Sequence, residues 1–143
     1  MKYLLLIYDE ESRWQQLSEA ERETSLGEYF QLSRDLVAAG KLHGGEELQP
    51  VASASTLRVR GGRAVVSDGP FAEAREQLGG FYLVEVASLD EAIAWALRCP
   101  TGLGFDDLLT IHPMTNASDI PPEMLTLIEA AAPTWSATFT KGR

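Results

Sequence analysis

Asp68 and His43 are the two residues with which this chain could most directly move a proton. Asp68 ends a strand-like run and precedes Gly69-Pro70. A carboxylate at a strand end, beside a tight turn, can be aimed into a cleft and act as a general base. The same place suits an Asx-turn, in which the side chain bonds nearby backbone N–H groups. His43 follows a helical pattern and precedes Gly44-Gly45. A neutral imidazole there can take a proton near pH 7, although a histidine in a loop is most often only surface. If Asp68 orients His43, the two form a base and its orienter. Both are therefore catalytic candidates. The candidate ligand contacts around them are Tyr8, Gly45, Glu46, Gly69, Pro70, Phe71, Glu73, Glu76 and Tyr82. The aromatics among them also suit a core, and the carboxylates a solvated face.

Other chemistries lack their residues. His112 ends the last strand-like run, and the close His-x-His or His-x₃-His spacing of a metal site is absent, so no metal is expected. Gly61-Gly62 and Gly79-Gly80 lack the spacing and the lysine of a phosphate loop. There is no Ser-centred elbow and no Cys-x-x-Cys. Cys99, the only cysteine, sits before Pro100, where a small hydrophobe is the plain reading. No cofactor is expected.

The elements that must position these residues follow from periodicity. Residues 2–8 are apolar almost throughout and read as a strand covered on both faces. Residues 9–17 read as a polar loop holding Trp14. Ser18 and Glu21 make a capping box, and Leu26, Tyr29, Phe30, Leu32, Leu36 and Val37 give the helix they open an apolar stripe. Gly40 stops it. Residues 41–55 read as a loop with a short strand near 46–51. Gly61-Gly62 joins the strands 56–60 and 63–67 as a hairpin. Residues 71–78 suggest a short helical segment, with Glu73 and Glu76 on one face. Residues 81–86 form a strand with Phe81, Leu83 and Glu85 on one side and Tyr82, Val84 and Val86 on the other. Ser88 and Glu91 make a second capping box for a helix with Leu89, Ala92, Ile93, Ala96 and Leu97 inward. A strand at 107–112 and a helix near 121–132 complete the pattern, with the last ten residues as an arm.

That order is the split βαββαβ pattern of an α+β, ferredoxin-like domain with an antiparallel sheet. Two helices shield one side of such a sheet. The first and third core strands are apolar on both sides, so the second side needs cover too. A second copy of the chain is the simplest cover, and a homodimer is expected. The domain is placed at residues 1–113. Residues 114–143 are a C-terminal helix and tail, part of that domain or a dimer arm.

Composition limits the partners. The formal net charge is −9, which repels a nucleic-acid backbone. Arg58, Arg60 and Arg63 flank a hairpin turn and read as a solvated edge. No run approaches the roughly 20 apolar residues of a membrane span, and the opening Met1–Tyr8 is too short for a signal segment. With a lone cysteine, this predicts a soluble, cytoplasmic protein with a small-molecule ligand and neither nucleic acid nor membrane as partner.

Residues 67–86 read Ser-Asp-Gly-Pro-Phe-Ala-Glu-Ala-Arg-Glu-Gln-Leu-Gly-Gly-Phe-Tyr-Leu-Val-Glu-Val. This run resembles the DGPF signature of the YCII-related family. Met1–Tyr8 resembles that family's first strand, Gly44–Leu48 its Gly-Gly-Glu loop, and Ser88–Ala92 the start of its second helix. The resemblance spans roughly residues 1–112. It implies a dimeric α+β barrel. Bacterial members are often found with extracytoplasmic-function sigma factors. Some relatives are lyases or dehydrohalogenases of lactone-like ring-cleavage products, and muconolactone isomerase has a related barrel; these use a His and an Asp in a cleft. The last strand departs from the family's Val-Glu-Val-Arg-Pro. It reads Leu108-Leu109-Thr110-Ile111-His112-Pro113, so any role of that arginine is lost.

Three functions follow as expectations. The first is a cofactor-independent enzyme of lyase or isomerase type on a small polar or cyclic metabolite, with Asp68 as base or orienter and His43 as proton carrier. The second is a non-catalytic ligand-binding or regulatory module, for which the family resemblance implies association with a sigma factor. The third is a purely structural dimer.

Overall fold

The computed structural model describes residues 1–100 and 108–135. The fold is α+β with an antiparallel sheet, as the periodicity predicts. Six strands run in chain order: β1 (Lys2–Asp9), β2 (Leu42–Glu47), β3 (Ser55–Arg60), β4 (Arg63–Asp68), β5 (Gln77–Glu85) and β6 (Leu108–Pro113). Among the described residues they are accompanied by the helices α1 (Glu11–Gln16), α2 (Glu19–Ala38), α3 (Leu89–Ala96) and α4 (Pro122–Ala131). The main sheet has the order β2-β5-β1-β6, and every pairing in it is antiparallel. β3 and β4 form a separate two-stranded sheet.

One face of the main sheet carries the core. Tyr3, Leu5 and Ile7 of β1 and Val84 of β5 are buried with Leu32 and Leu36 of α2, Ala92 and Ala96 of α3, and Val86 and Cys99. Removing this apolar surface from water drives the helices onto the sheet. On the opposite face, Leu4, Leu6, Phe81 and Leu83 are half-buried and stand outside this core cluster.

Local signals act where they were read. Ser18 accepts a hydrogen bond from the Glu21 amide, and the Glu21 carboxylate accepts one from the Ser18 amide, so the capping box forms. Gly40 takes the left-handed conformation after α2 (φ +65°), and Gly61 and Gly62 take it in the hairpin turn. The second capping box forms only by half. Ser88 accepts from the Glu91 amide, but the Glu91 carboxylate accepts from the Ala87 amide instead.

Several expectations are corrected. Residues 11–16 are helix α1 rather than loop. The strand expected near 46–51 lies at Leu42–Glu47, so Gly44 and Gly45 are strand residues. Residues 71–76 hold no helix, and Gln77 already begins β5, so Glu73 and Glu76 share no helical face. The helices bury narrower stripes than the periodicity suggests. In α3 only Ala92 and Ala96 are buried, while Leu89, Ile93 and Leu97 remain exposed. In α2, Ser25 is buried and Phe30 and Val37 are not. A short sheet presents less width to a helix than its apolar stripe offers, and small residues permit the closest approach. The strand at 107–112 is observed at Leu108–Pro113, and residue 107 lies outside the described residues, as does most of the expected C-terminal arm.

Candidate functional site: the open sheet face

His43 is the extra residue of a β-bulge. Leu42 pairs with Val84 and Gly44 with Leu83, which leaves His43 unmatched on β2. A bulge bends its strand and re-aims a side chain, and bulges recur beside active sites. Here the ring is turned onto β5, and His43 Nε2 lies 2.5 Å from Glu85 Oε2. The two side chains are about equally half-exposed, at 35% and 33%. A carboxylate only accepts, so Nε2 carries the hydrogen and Nδ1 is left as the ring atom able to take a proton.

The surroundings follow from register. Glu85 stands opposite Lys2. Leu4 lies between Leu83 on one side and His112 on the other, and Leu6 lies between Phe81 and Thr110. Glu46 is across from Phe81. This open face thus combines an apolar floor (Leu4, Leu6, Phe81, Leu83) with polar groups at both edges. Thr110 Oγ1 and His112 Nε2 share a 3.0 Å hydrogen bond at the β6 edge. The two histidine-bearing strands are three strand spacings apart, roughly 14 Å, so the two rings do not act as one pair.

Tyr8 also faces the open side, because the buried Ile7 faces the core. Tyr82 faces the other way. Its phenol shares a 3.0 Å hydrogen bond with Ser33 of α2, and burial raises its pKa. Gly45 pairs with Tyr82, and a β-carbon there would stand 2.9 Å from the ring. Gly45 is thus the gap that the Tyr82 ring fills. Tyr8 and Tyr82 are held on opposite faces of one sheet.

Asp68 is not brought to His43. It ends β4 on the separate hairpin, opposite Ser55, and no hydrogen bond or ion pair among the described residues involves its carboxylate. The Asx-turn reading has no bond either. The turn is held by other bonds: the Gly69 amide donates to the Ala54 carbonyl (2.6 Å), and the Thr56 side-chain Oγ1 donates to the Gly69 carbonyl (2.8 Å). Gly69 is left-handed (φ +86°), which a residue with a side chain rarely adopts. Arg58 donates to the Phe71 carbonyl, while the Phe71 ring is 78% exposed and Pro70 and Glu73 are exposed beside it. Glu76 is half-buried just before β5. No group of three metal-type ligands forms among the described residues.

Glu85 is the functional candidate that residue-by-residue reading passed over. Its signal was present in the alternation, which put one carboxylate on the same side as Phe81 and Leu83.

A mixed α+β domain whose antiparallel sheet keeps one face outside the helix-packed core, with a carboxylate-bound histidine on that face, is the class that fold and site define. Residues 1–110 match the YCII-related domain, and the chain belongs to that family. It is also similar to an uncharacterized protein of Rhizobium meliloti (strain 1021), with 39% identity over 122 residues, which cover 85% of this chain and 91% of that one. No helix among the described residues is long and apolar enough to cross a membrane.

Proposed function

We propose that this chain is a cofactor-independent enzyme of lyase or isomerase type, acting on a small polar or cyclic metabolite over the open sheet face. His43 carries the proton and Glu85 orients it, the part that the sequence alone assigned to Asp68. The observation that carries the reading is the 2.5 Å contact between His43 Nε2 and Glu85 Oε2 at a bulge above an apolar floor. A carboxylate on one ring nitrogen fixes the ring's orientation and leaves the other nitrogen to face a substrate.

The strand order β2-β5-β1-β6 fits a ferredoxin-like sheet. Its half-covered apolar face suits pairing with a second copy into a dimeric α+β barrel, which would enclose the histidine in a cleft. The free, buried Cys99 fits a reducing, cytoplasmic setting.

The test is solvent isotope exchange. Small lactones and oxo acids are incubated with the protein in D₂O, and deuterium uptake beside the carbonyl is followed by NMR. His43→Gln is expected to lower the rate about 10²–10⁴-fold, with Glu85→Gln intermediate. No exchange with any compound, or exchange indifferent to His43→Gln, sinks the reading. A second reading, a non-catalytic ligand-binding or regulatory module, draws on the exposed Phe71 ring. It predicts compounds that raise Tm without isotope exchange.

A further inference from the structure

One cross-strand row runs the full width of the open face. Gly44 pairs with Leu83, Leu83 with Leu4, and Leu4 with His112. Residues paired directly across strands point to the same side of a sheet. The row therefore begins beside His43 and ends at the β6 edge, with an apolar middle of Leu83 and Leu4. At its β2 end a β-carbon on Gly44 would meet nothing within 4 Å, so that end is open space. At its β6 end stands His112, while Leu109 and Ile111 of the same strand pack toward the core.

The β6 end is built to donate. Thr110 and His112 share one face of the strand, and Thr110 Oγ1 lies 3.0 Å from His112 Nε2. If the hydroxyl gives the hydrogen, Nδ1–H is left over; if Nε2 gives it, the hydroxyl hydrogen is left over. Either way one donor remains for a ligand, and the imidazolium leaves both. A carboxylate has two oxygens that only accept, and it gains most from a charged donor. The charges of the strands agree. Glu46 and Glu85 stand on the β2–β5 half of this face, whereas the strand residues of the β1–β6 half include Lys2, Thr110 and His112 and no carboxylate. An anion is drawn to the β6 edge and turned away from the β2 edge.

We propose that the open face takes a monocarboxylic acid with an apolar body. His112 and Thr110 hold the carboxylate, Leu4 and Leu83 carry the body, and Gly44 leaves room for the far end beside His43. The proposal rests on the open face as the ligand surface of the catalytic reading and names the class of its substrate. Three strand spacings, roughly 14 Å, separate the strands that carry the two histidines. They therefore divide the work: His112 positions the acid and His43 meets its other end.

The chain has two histidines, so its imidazole rings give two NMR signals, assigned by His43→Gln and His112→Gln. Adding hexanoate to the full chain is expected to move the His112 signal saturably, and the Leu4 and Leu83 methyl signals with it. Hexanamide, which keeps the chain without the charge, should bind about tenfold more weakly, as should acetate, which lacks the chain. Followed on the methyl signals, His112→Gln should lose about tenfold in affinity and Thr110→Val less. An unmoved His43 signal in these variants reports that the fold is kept. Gly44→Val, which fills the far end, should weaken octanoate more than hexanoate. Hexanoate that leaves His112 unmoved, or that hexanamide equals, overturns the proposal. So does affinity indifferent to His112→Gln, or a Gly44→Val effect that ignores chain length. These signals need no turnover, so failed isotope exchange leaves the carboxylate site standing as a binding site. Exchange with neutral lactones alone overturns the carboxylate site and leaves His43 as proton carrier.

Discussion

Arg75 Nε lies 2.7 Å from Glu10 Oε2, and this pair ties the segment after the Asp68-Gly69-Pro70-Phe71 turn to the end of β1. Glu10 also holds Arg13 at 2.9 Å, so one carboxylate joins the start of α1 to the loop before β5. Exposed ion pairs add little to global stability, so the effect of the tether should be local. Arg75→Ala is expected to leave Tm almost unchanged while speeding amide exchange and proteolysis across residues 70–76. Unchanged exchange there would show that the pair does not hold the segment.

Gly44 and Gly45 are neighbours in sequence with opposite requirements. A β-carbon at Gly45 would meet the Phe81 carbonyl oxygen and the Tyr82 ring, each at 2.9 Å, whereas one at Gly44 meets nothing within 4 Å. The carbonyl belongs to a paired strand and the ring is bonded to Ser33, so neither can yield freely. Gly45→Ala is expected to cost about 1–3 kcal/mol in urea unfolding. Gly44→Ala should be neutral or slightly stabilising, because it restricts the unfolded chain. Equal effects of the two would contradict this account.

Acid should lower the stability of the protein modestly through specific exposed carboxylates. Glu21 is held below its ordinary value of 4.5 by the Ser18 amide, Glu91 by the Ala87 amide, and Asp35 below 3.8 by Arg98. Each is depressed in the folded state, so its contribution is present above the unfolded value and is lost as pH falls through the folded one. Stability should hold above about pH 4.5 and then fall steadily below it. Glu21→Gln should flatten that fall in urea titrations between pH 5 and pH 2. A profile that the substitution leaves unaltered would count against the assignment.

Cys99 is buried between α3 and the sheet, and desolvation pushes its thiol up to about 11. Only the thiolate reacts, so at pH 8 the reactive fraction is roughly one in a thousand. Labelling by an aromatic disulfide reagent should therefore wait for unfolding and follow its rate. Fast labelling of the native protein would contradict this.

Some of the molecule was legible in residue order. The Ser18-x-x-Glu21 box, the left-handed Gly40 and the Gly61-Gly62 turn act within a few residues of themselves, so their meaning survives without knowledge of the rest. The alternation of Phe81, Leu83 and Glu85 against Tyr82, Val84 and Val86 was legible for the same reason. Residues 71–76 were not. Their helix-forming composition is overruled by the tether to Glu10 and by the strand that begins at Gln77.

Local spacing and polarity determined the α+β pattern and the antiparallel strands, but they left β1 apolar on both faces and did not choose Tyr3, Leu5 and Ile7 as the side that meets the helices. Only the tertiary structure decided which carboxylate His43 meets. Glu85 is remote from it in the chain and becomes its neighbour through the β2–β5 pairing and one unmatched residue in that ladder. Asp68 lies nearer in sequence and yet folds onto a different sheet. A register shift is a property of two strands together, so neither strand's residues announce it alone.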